Sequence, residues 1–397
     1  MTGGTLSLKW TTDKEPVSYR SGEPMQFKLQ LLDDGQPVIG KVIKWVRTGD
    51  DGLSTQGEMV SSSKAPLTIT TSIKKPGFVR LEISIFNEDG SPAKNETNDP
   101  VKFHGGAGAE PEKLTGYPEP ADFDAFWKKQ KARLATVPMK AVLTKVVSEK
   151  AGFDVYDVRV DCLGGKPVSG YLSIPEGANP KSLGAQVYFS GYGVRATRQR
   201  SESGAIVFQV NAHGIENGRD PEYYKALENG ELKAYAFNNE ENARPETSYF
   251  NGMMLRALRA LEYVKSRPEW NGRDLIAGGS SQGGFQALTV AGLDSSVTRC
   301  LPGTPWCVDL GGMNMGRIRG WRPDYTDALG YYDPAHMGKR LKCAVAIDAG
   351  LGDYICPPSG LSVLYNNIKS PKSITYIQGG THFQAPRDAT RQTLRSK

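Results

Sequence analysis

The sequence runs to 397 residues, more than one ordinary domain, and its 45 Gly and 25 Pro fall short of the roughly one-quarter share that marks disorder, so two globular domains are expected. Apolar residues make up 38%, enough to fill cores in a chain this long, while a net charge of +6 spread without basic runs offers no footprint for nucleic acid. No stretch approaches the roughly 20 apolar residues of a membrane span, and Met1 to Trp10 lacks the apolar centre of a secretory signal.

From Thr5 to Phe103 the rhythm is period two. Met25, Phe27, Leu29 and Leu31 alternate with polar residues, as do Leu81, Ile83 and Ile85, and Asp-Gly pairs at Asp34-Gly35, Asp51-Gly52 and Asp89-Gly90 suit tight hairpin turns. An immunoglobulin-like β-sandwich over residues 1–103 is the expectation. His104 to Pro120, rich in Gly, Ala, Pro and Glu, reads as a linker. Over residues 121–397 strands are predicted near Gln186–Phe189, Ala205–Val210, Leu275–Ala277, Cys343–Ile347 and Ile374–Ile377. Met254, Ala257, Leu258, Leu261 and Val264 form one helical stripe that ends before Pro268. Strands alternating with amphipathic helices predict an α/β domain with a mostly parallel sheet covered on both faces.

Five cysteines (Cys162, Cys300, Cys307, Cys343, Cys356) contain no CxxC pair and sit mostly among apolar residues. Buried thiols are the expectation, with a single disulfide, Cys300 to Cys307 or Cys343 to Cys356, as the alternative. No metal site or cofactor is called for.

The sharpest chemical signal is Gly278-Gly279-Ser280-Ser281-Gln282-Gly283-Gly284 between a predicted strand and a predicted helix. Gly279 and Gly283 bracket Ser281 in a GxSxG frame, whereas the frame on Ser280 would need Gly where Gln282 stands. Small residues there permit the strained turn that lifts a nucleophilic hydroxyl out of the sheet. A serine needs a base, and the chain has four histidines. His104 falls in the predicted linker, His213 after an earlier strand and His336 in a polar segment. Only His382 follows the last strand, where the order Ser, acid, His of an α/β-hydrolase puts it. Asp348 and Asp353 compete for the acid; Asp353, on the Gly-rich loop beyond the strand end, is favoured.

These residues resemble carbohydrate esterase family 7, the acetyl xylan esterases and cephalosporin C deacetylases. The resemblance covers most of Tyr117 to the C-terminus and rests on Pro120-Ala121-Asp122-Phe123-Asp124-Ala125-Phe126-Trp127, Gly191-Tyr192-Gly193, the G-x-S-Q-G of Gly279 to Gly283, and Gly352-Asp353-Tyr354-Ile355-Cys356-Pro357-Pro358. It implies an α/β-hydrolase fold, a metal-independent esterase with Ser281, Asp353 and His382 as triad, and the backbone N–H groups of Tyr192 and Gln282 as oxyanion hole. Small acetylated carbohydrates are the implied substrates; Trp306 and His213 are candidate pocket residues, although a large aromatic flanked by Pro and Cys is more often core, and a hydrogen-bonded structural role is favoured for His213. Where the family has Arg-Gly-Gln this chain has His213-Gly214-Ile215, and Phe383 stands where the family has Glu. The family's hexamer does not carry over directly onto a chain with an added sandwich, so a homo-oligomer is left open. A periplasmic or secreted location, its signal missing from this sequence, or else a cytoplasmic one, is the expectation for the compartment.

Three other readings compete. A prolyl oligopeptidase-type peptidase would need a repeated propeller that about one hundred non-repeating residues cannot supply. Feruloyl or glucuronoyl esterase activity remains an alternative, as does a non-catalytic carbohydrate-binding protein with a scaffold hydrolase half.

Overall fold

The computed structural model describes residues 6–396. The period-two part forms β1 (Leu6–Thr12), β2 (Met25–Asp33), β3 (Gln36–Pro37), β4 (Val42–Gly49), β5 (Ser54–Val60), β6 (Leu67–Thr71), β7 (Gly77–Phe86) and β8 (Lys102–Ala109). One antiparallel sheet has the order β1-β2-β3 with β6 also on β2; the other runs β5-β4-β7-β8. Because alternate side chains share a face, Phe27, Leu29 and Leu31 of β2 meet Leu81, Ile83 and Ile85 of β7 in one core between the sheets. Positive φ at Asp34 (46°) and Gly35 (78°) makes the tight turn from β2 to β3.

His104–Pro120 is not a linker throughout, which corrects the reading from composition. β8 pairs with β7 from Lys102 to Ala109, and Gly105 through Ala109 are buried. The glycines are there because other backbone and side-chain groups press on the strand. A Cβ on Gly106 would lie 2.3 Å from the Val79 carbonyl oxygen and 2.9 Å from that of Leu351, and one on Gly105 would lie 2.4 Å from Gln378 Oε1. The sandwich therefore ends at Ala109, and the crossing to the second half is shorter than expected.

The second half contributes β9 (Ala141–Val146), β10 (Phe153–Val160), β11 (Val168–Pro175), β12 (Leu183–Phe189), β13 (Ala205–Asn211), β14 (Trp270–Ser280), β15 (Arg299–Gly303), β16 (Ala344–Gly350), β17 (Lys372–Ile377) and β18 (Arg391–Arg395). They make one ten-stranded sheet, β18-β17-β16-β15-β14-β12-β13-β11-β10-β9. The centre from β13 through β17 is parallel, and the flanking strands add antiparallel pairs at both ends. Its helices are α1 (Phe123–Ala135), α2 (Pro221–Asn229), α3 (Tyr249–Lys265), α4 (Gln282–Leu293), α5 (Pro334–Gly338) and α6 (Pro358–Asn367). The predicted stripe is buried on α3, which Ser248 caps by accepting from the Phe250 N–H.

α1, α3, α4, α5 and α6 pack side by side in one continuous layer. On β16, Ala344, Ala346 and Asp348 alternate with buried neighbours and are exposed. The segment between β12 and β13 has no apolar stripe to make a helix; it is a loop whose Arg200 guanidinium lies 3.7 Å from the Tyr188 ring centroid. Among the described residues no helix is long and apolar enough to cross a membrane. All five cysteines are buried free thiols, so neither disulfide alternative is formed.

Sandwich and hydrolase share a seam. Val17 and Phe78 of the sandwich join the hydrolase core, with the Phe78 ring 5.7 Å from that of Tyr376. Fully buried Asp50 accepts from the Phe78 N–H at 2.7 Å and from the Ile318 N–H, across the seam, at 2.9 Å. Asp50→Ala strands both donors and is expected to lower unfolding free energy by about 2–4 kcal/mol, read as a lower urea midpoint.

Candidate active site

β14 stops at Ser280 and α4 starts at Gln282, leaving Ser281 between them at φ 56° and ψ −117°. Such a backbone costs a non-glycine residue about 1–3 kcal/mol and persists only where its surroundings hold it. Here the Ser281 N–H donates to the Gly303 carbonyl (2.8 Å), and its carbonyl accepts from the N–H groups of Phe285 and Trp306 (both 3.0 Å). Steric limits explain the flanking residues. A Cβ on Gly283 would lie 2.1 Å from the Phe189 carbonyl oxygen, and one on Gly279 would lie 2.6 Å from the Gly283 carbonyl carbon. The turn thus places Ser281 at the positive end of α4.

The loops after β16 and β17 bring the acid and the histidine together. His382 Nδ1 lies 3.0 Å from Asp353 Oδ2, and the two side chains are 7% and 0% exposed. Asp353 Oδ1 accepts from the Ile355 and Cys356 N–H groups, both at 2.8 Å, which fixes the carboxylate with its other oxygen toward His382. The competing acid, Asp348, is exposed within β16. Cys356 Sγ lies within 4.8 Å of ligand atoms of Asp353 and His382. Burial and the nearby Asp353 push the Cys356 thiol well up, so this cluster offers a neutral thiol beside a hydrogen-bonded pair rather than a thiolate ligand.

Opposite the histidine, the loop after β12 carries Gly191, Tyr192 and Gly193. Among the described residues neither the Tyr192 nor the Gln282 backbone N–H has a partner. Tyr235 ties both segments together: its hydroxyl accepts from the Gly193 N–H at 2.9 Å and donates to Gln282 Oε1 at 2.8 Å, while its ring stacks on Tyr192 at 4.2 Å. Behind it stands His213. Nε2 donates to the Gly193 carbonyl at 3.0 Å, so Nδ1 accepts from the Tyr249 hydroxyl. Burial, reinforced by the Arg256 and Arg195 charges, lowers the His213 pKa to about 4. This His213, Tyr235 and Tyr249 network occupies the place that His213-Gly214-Ile215 left open in the sequence.

Ser281 and His382 open on one pocket of about 750 Å³, lined also by Tyr192, Arg195, Trp321 and Tyr354. Of the two candidate pocket residues, both take the structural role that the sequence favoured. Trp306 is fully buried and does not line the pocket; its indole N–H donates to the Trp321 carbonyl at 2.6 Å, and the two rings stack at 5.4 Å. His213 likewise lies behind the wall, 3% exposed. Sequence reasoning missed Tyr235, Tyr249 and Trp321, because each acts from a segment without a motif. Phe383, the replacement for a carboxylate, is 73% exposed on the pocket rim.

The sequence model of the family described as acetyl xylan esterase (AXE1) matches residues 112–313 and 322–395. The chain belongs to the acetyl xylan esterase family. It is an α/β-hydrolase and a carboxylic ester hydrolase. The acetyl esterase Axe7A of Xylanibacter ruminicola is 26% identical over 378 residues, covering 89% of this chain and 82% of its own. That share exceeds the hydrolase half alone, so the likeness reaches into the sandwich. The solved acetyl xylan esterase of Paenibacillus sp. R4 superposes with a TM-score of 0.57 at 24% identity, over 69% of this chain and 93% of its own. Acetyl xylan esterase 1 of Thermoanaerobacterium sp. JW/SL YS485 gives 0.58 at 22%, over 70% and 94%. Both likenesses establish the fold of the hydrolase half.

Two outcomes follow from the wall of this esterase pocket. Tyr235→Phe leaves the Gly193 N–H and Gln282 Oε1 unpaired and is expected to lower kcat for p-nitrophenyl acetate about tenfold. His213 is neutral in the folded protein down to about pH 4, but takes a proton near its ordinary value of 6.5 when unfolded. Its share of stability is therefore intact above about pH 6.5 and lost as pH falls toward 4, by up to about 3 kcal/mol. Urea titrations at pH 7 and 4.5 should show a smaller drop in His213→Gln than in the parent.

Proposed function

We propose that this esterase removes acetyl groups from acetylated sugars or xylo-oligosaccharides, with Ser281 as nucleophile, His382 as base and Asp353 as the carboxylate that holds it. The observation that carries the reading is His382, bound through Nδ1 to buried Asp353 and facing the pocket that also contains Ser281. His382 Nε2 takes the Ser281 proton as Oγ attacks the acetyl carbonyl, and Asp353 stabilises the imidazolium that forms. The N–H groups of Tyr192 and Gln282 receive the oxyanion, an interaction worth about 3–4 kcal/mol per donor. His382 then protonates the sugar oxygen as its bond to the acetyl carbon breaks, leaving an acetyl-enzyme; a water deprotonated by the same imidazole attacks it, and acetate leaves as the proton returns to Ser281 Oγ.

A sugar alcohol is supported by the pocket rim. Trp321, Tyr354 and Phe383 are 42%, 43% and 73% exposed, and all three line this one pocket. Apolar sugar faces pack on such rings. The names of the relatives, acetyl esterase and acetyl xylan esterase, agree with an acetyl group as the part removed.

Ser281→Ala is expected to lower acetate release from acetylated xylo-oligosaccharides at least a thousandfold while its circular dichroism spectrum is retained. A folded variant that stays active would remove the nucleophile assignment. Parallel assays on feruloyl and glucuronoyl esters should give much lower kcat/KM than the acetyl esters; the reverse ranking would replace the substrate reading.

A further inference from the structure

Three loops of the hydrolase that reach the pocket also touch the amino-terminal sandwich. The Asp353 loop is squeezed from both sides: the Gly352 N–H donates to the Gly380 carbonyl at 2.9 Å, and a Cβ on Gly352 would lie 2.1 Å from the His104 carbonyl oxygen of β8. On the His382 loop, buried Gln378 makes two bonds to one residue of β8. The Gly106 N–H donates to Gln378 Oε1 at 3.0 Å, and Gln378 Nε2 donates to the Gly106 carbonyl at 2.7 Å. Beside it Gly379 has φ 74°, and a Cβ there would lie 2.8 Å from the Trp10 ring of β1. The third loop carries Trp321 and is held through Ile318 by Asp50.

We propose that the sandwich is the seat of the catalytic loops, and that Gln378, with Trp10 behind Gly379, is a positioning residue that holds His382 in register with Asp353 and Ser281. The assignment rests on the triad reading above. Gln378 stands four residues before His382, and its side-chain amide closes on Gly106 as another strand would, so the histidine loop is fastened to β8 at its root. Gly350, Gly352 and Gly380 allow the acid and histidine loops to lie against each other, so a shift of the root moves both partners. A misplacement of about 1 Å in such a constellation costs up to about a hundredfold in rate.

Three variants of the full chain test this: Gln378→Leu, Gln378→Glu and Trp10→Ala, the last altering the sandwich alone. Kinetics on p-nitrophenyl acetate, normalised to folded protein by circular dichroism, are paired with the rate at which a fluorophosphonate labels Ser281. Gln378→Leu is expected to lower kcat and the labelling rate tenfold to a hundredfold with KM within about twofold, and Trp10→Ala to lower kcat several-fold. In Gln378→Glu the carboxylate cannot donate to the Gly106 carbonyl, but the protonated acid can, and burial raises the pH at which it forms. Its activity relative to the parent should therefore climb as pH falls from about 8 to 6. Should Gln378→Leu fail to fold, Trp10→Ala and the pH ratio decide. Unchanged kcat per folded molecule, or a flat pH ratio in Gln378→Glu, would overturn the proposal. A parent protein whose Ser281 is not labelled at all would instead bring down the triad reading on which it rests.

Discussion

A methyl group on Gly283 would sit 2.1 Å from the Phe189 carbonyl oxygen, and one on Gly352 would sit 2.1 Å from that of His104. Both distances lie far inside van der Waals contact, so each place works only because no side chain is present. The first contact lets α4 begin directly behind β12 and sets Ser281 at φ 56° above the helix end. The second lets the Asp353 loop lie flat on β8. Much of the rest follows from these approaches: the height of Ser281 over the sheet, the reach of Asp353 to His382, and the seam that joins the two halves. A side chain at either point would separate backbones whose hydrogen bonds fix the site.

How much of this could be read in advance depended on whether the physical cause was local. The α3 stripe, the alternation in β2 and β7 and the glycines around Ser281 each state their structure within a few residues, and each appeared at the expected place. The pairing of Asp353 with His382 was legible from chain order, since loops after successive parallel strands meet at the carboxyl ends of those strands. β8 was misread because His104 to Ala109 has the composition of a spacer. Its glycines answer in part to Leu351 and Gln378, far along the chain, and composition cannot distinguish glycine that lacks contacts from glycine crowded by them. Trp306 is the core aromatic that its Pro and Cys neighbours suggested, and from the core it supports Trp321, the ring that reaches solvent. The wall behind the Tyr192 loop needs Tyr235 and Tyr249 to converge on His213, a meeting that no spacing announces.

The two histidines nearest the pocket show how surroundings divide the chemistry. His213 faces a tyrosine hydroxyl and a backbone carbonyl, with Arg256 and Arg195 as the charged groups around it, so a proton there is opposed by burial and by both cations. It is suited to hold Gly193, and through it the Tyr192 loop, as a neutral ring with one fixed tautomer. His382 faces a carboxylate. Two backbone N–H groups pin Asp353 Oδ1, leaving Oδ2 aimed at Nδ1 of a ring that lines the pocket. The proton-carrying role proposed for His382 calls for the second environment, whereas a strut needs the first. His213 stands behind the pocket wall and His382 on its lining, and the ring paired with the carboxylate is the one to which the proposed mechanism gives the proton between Ser281, the leaving alcohol and water.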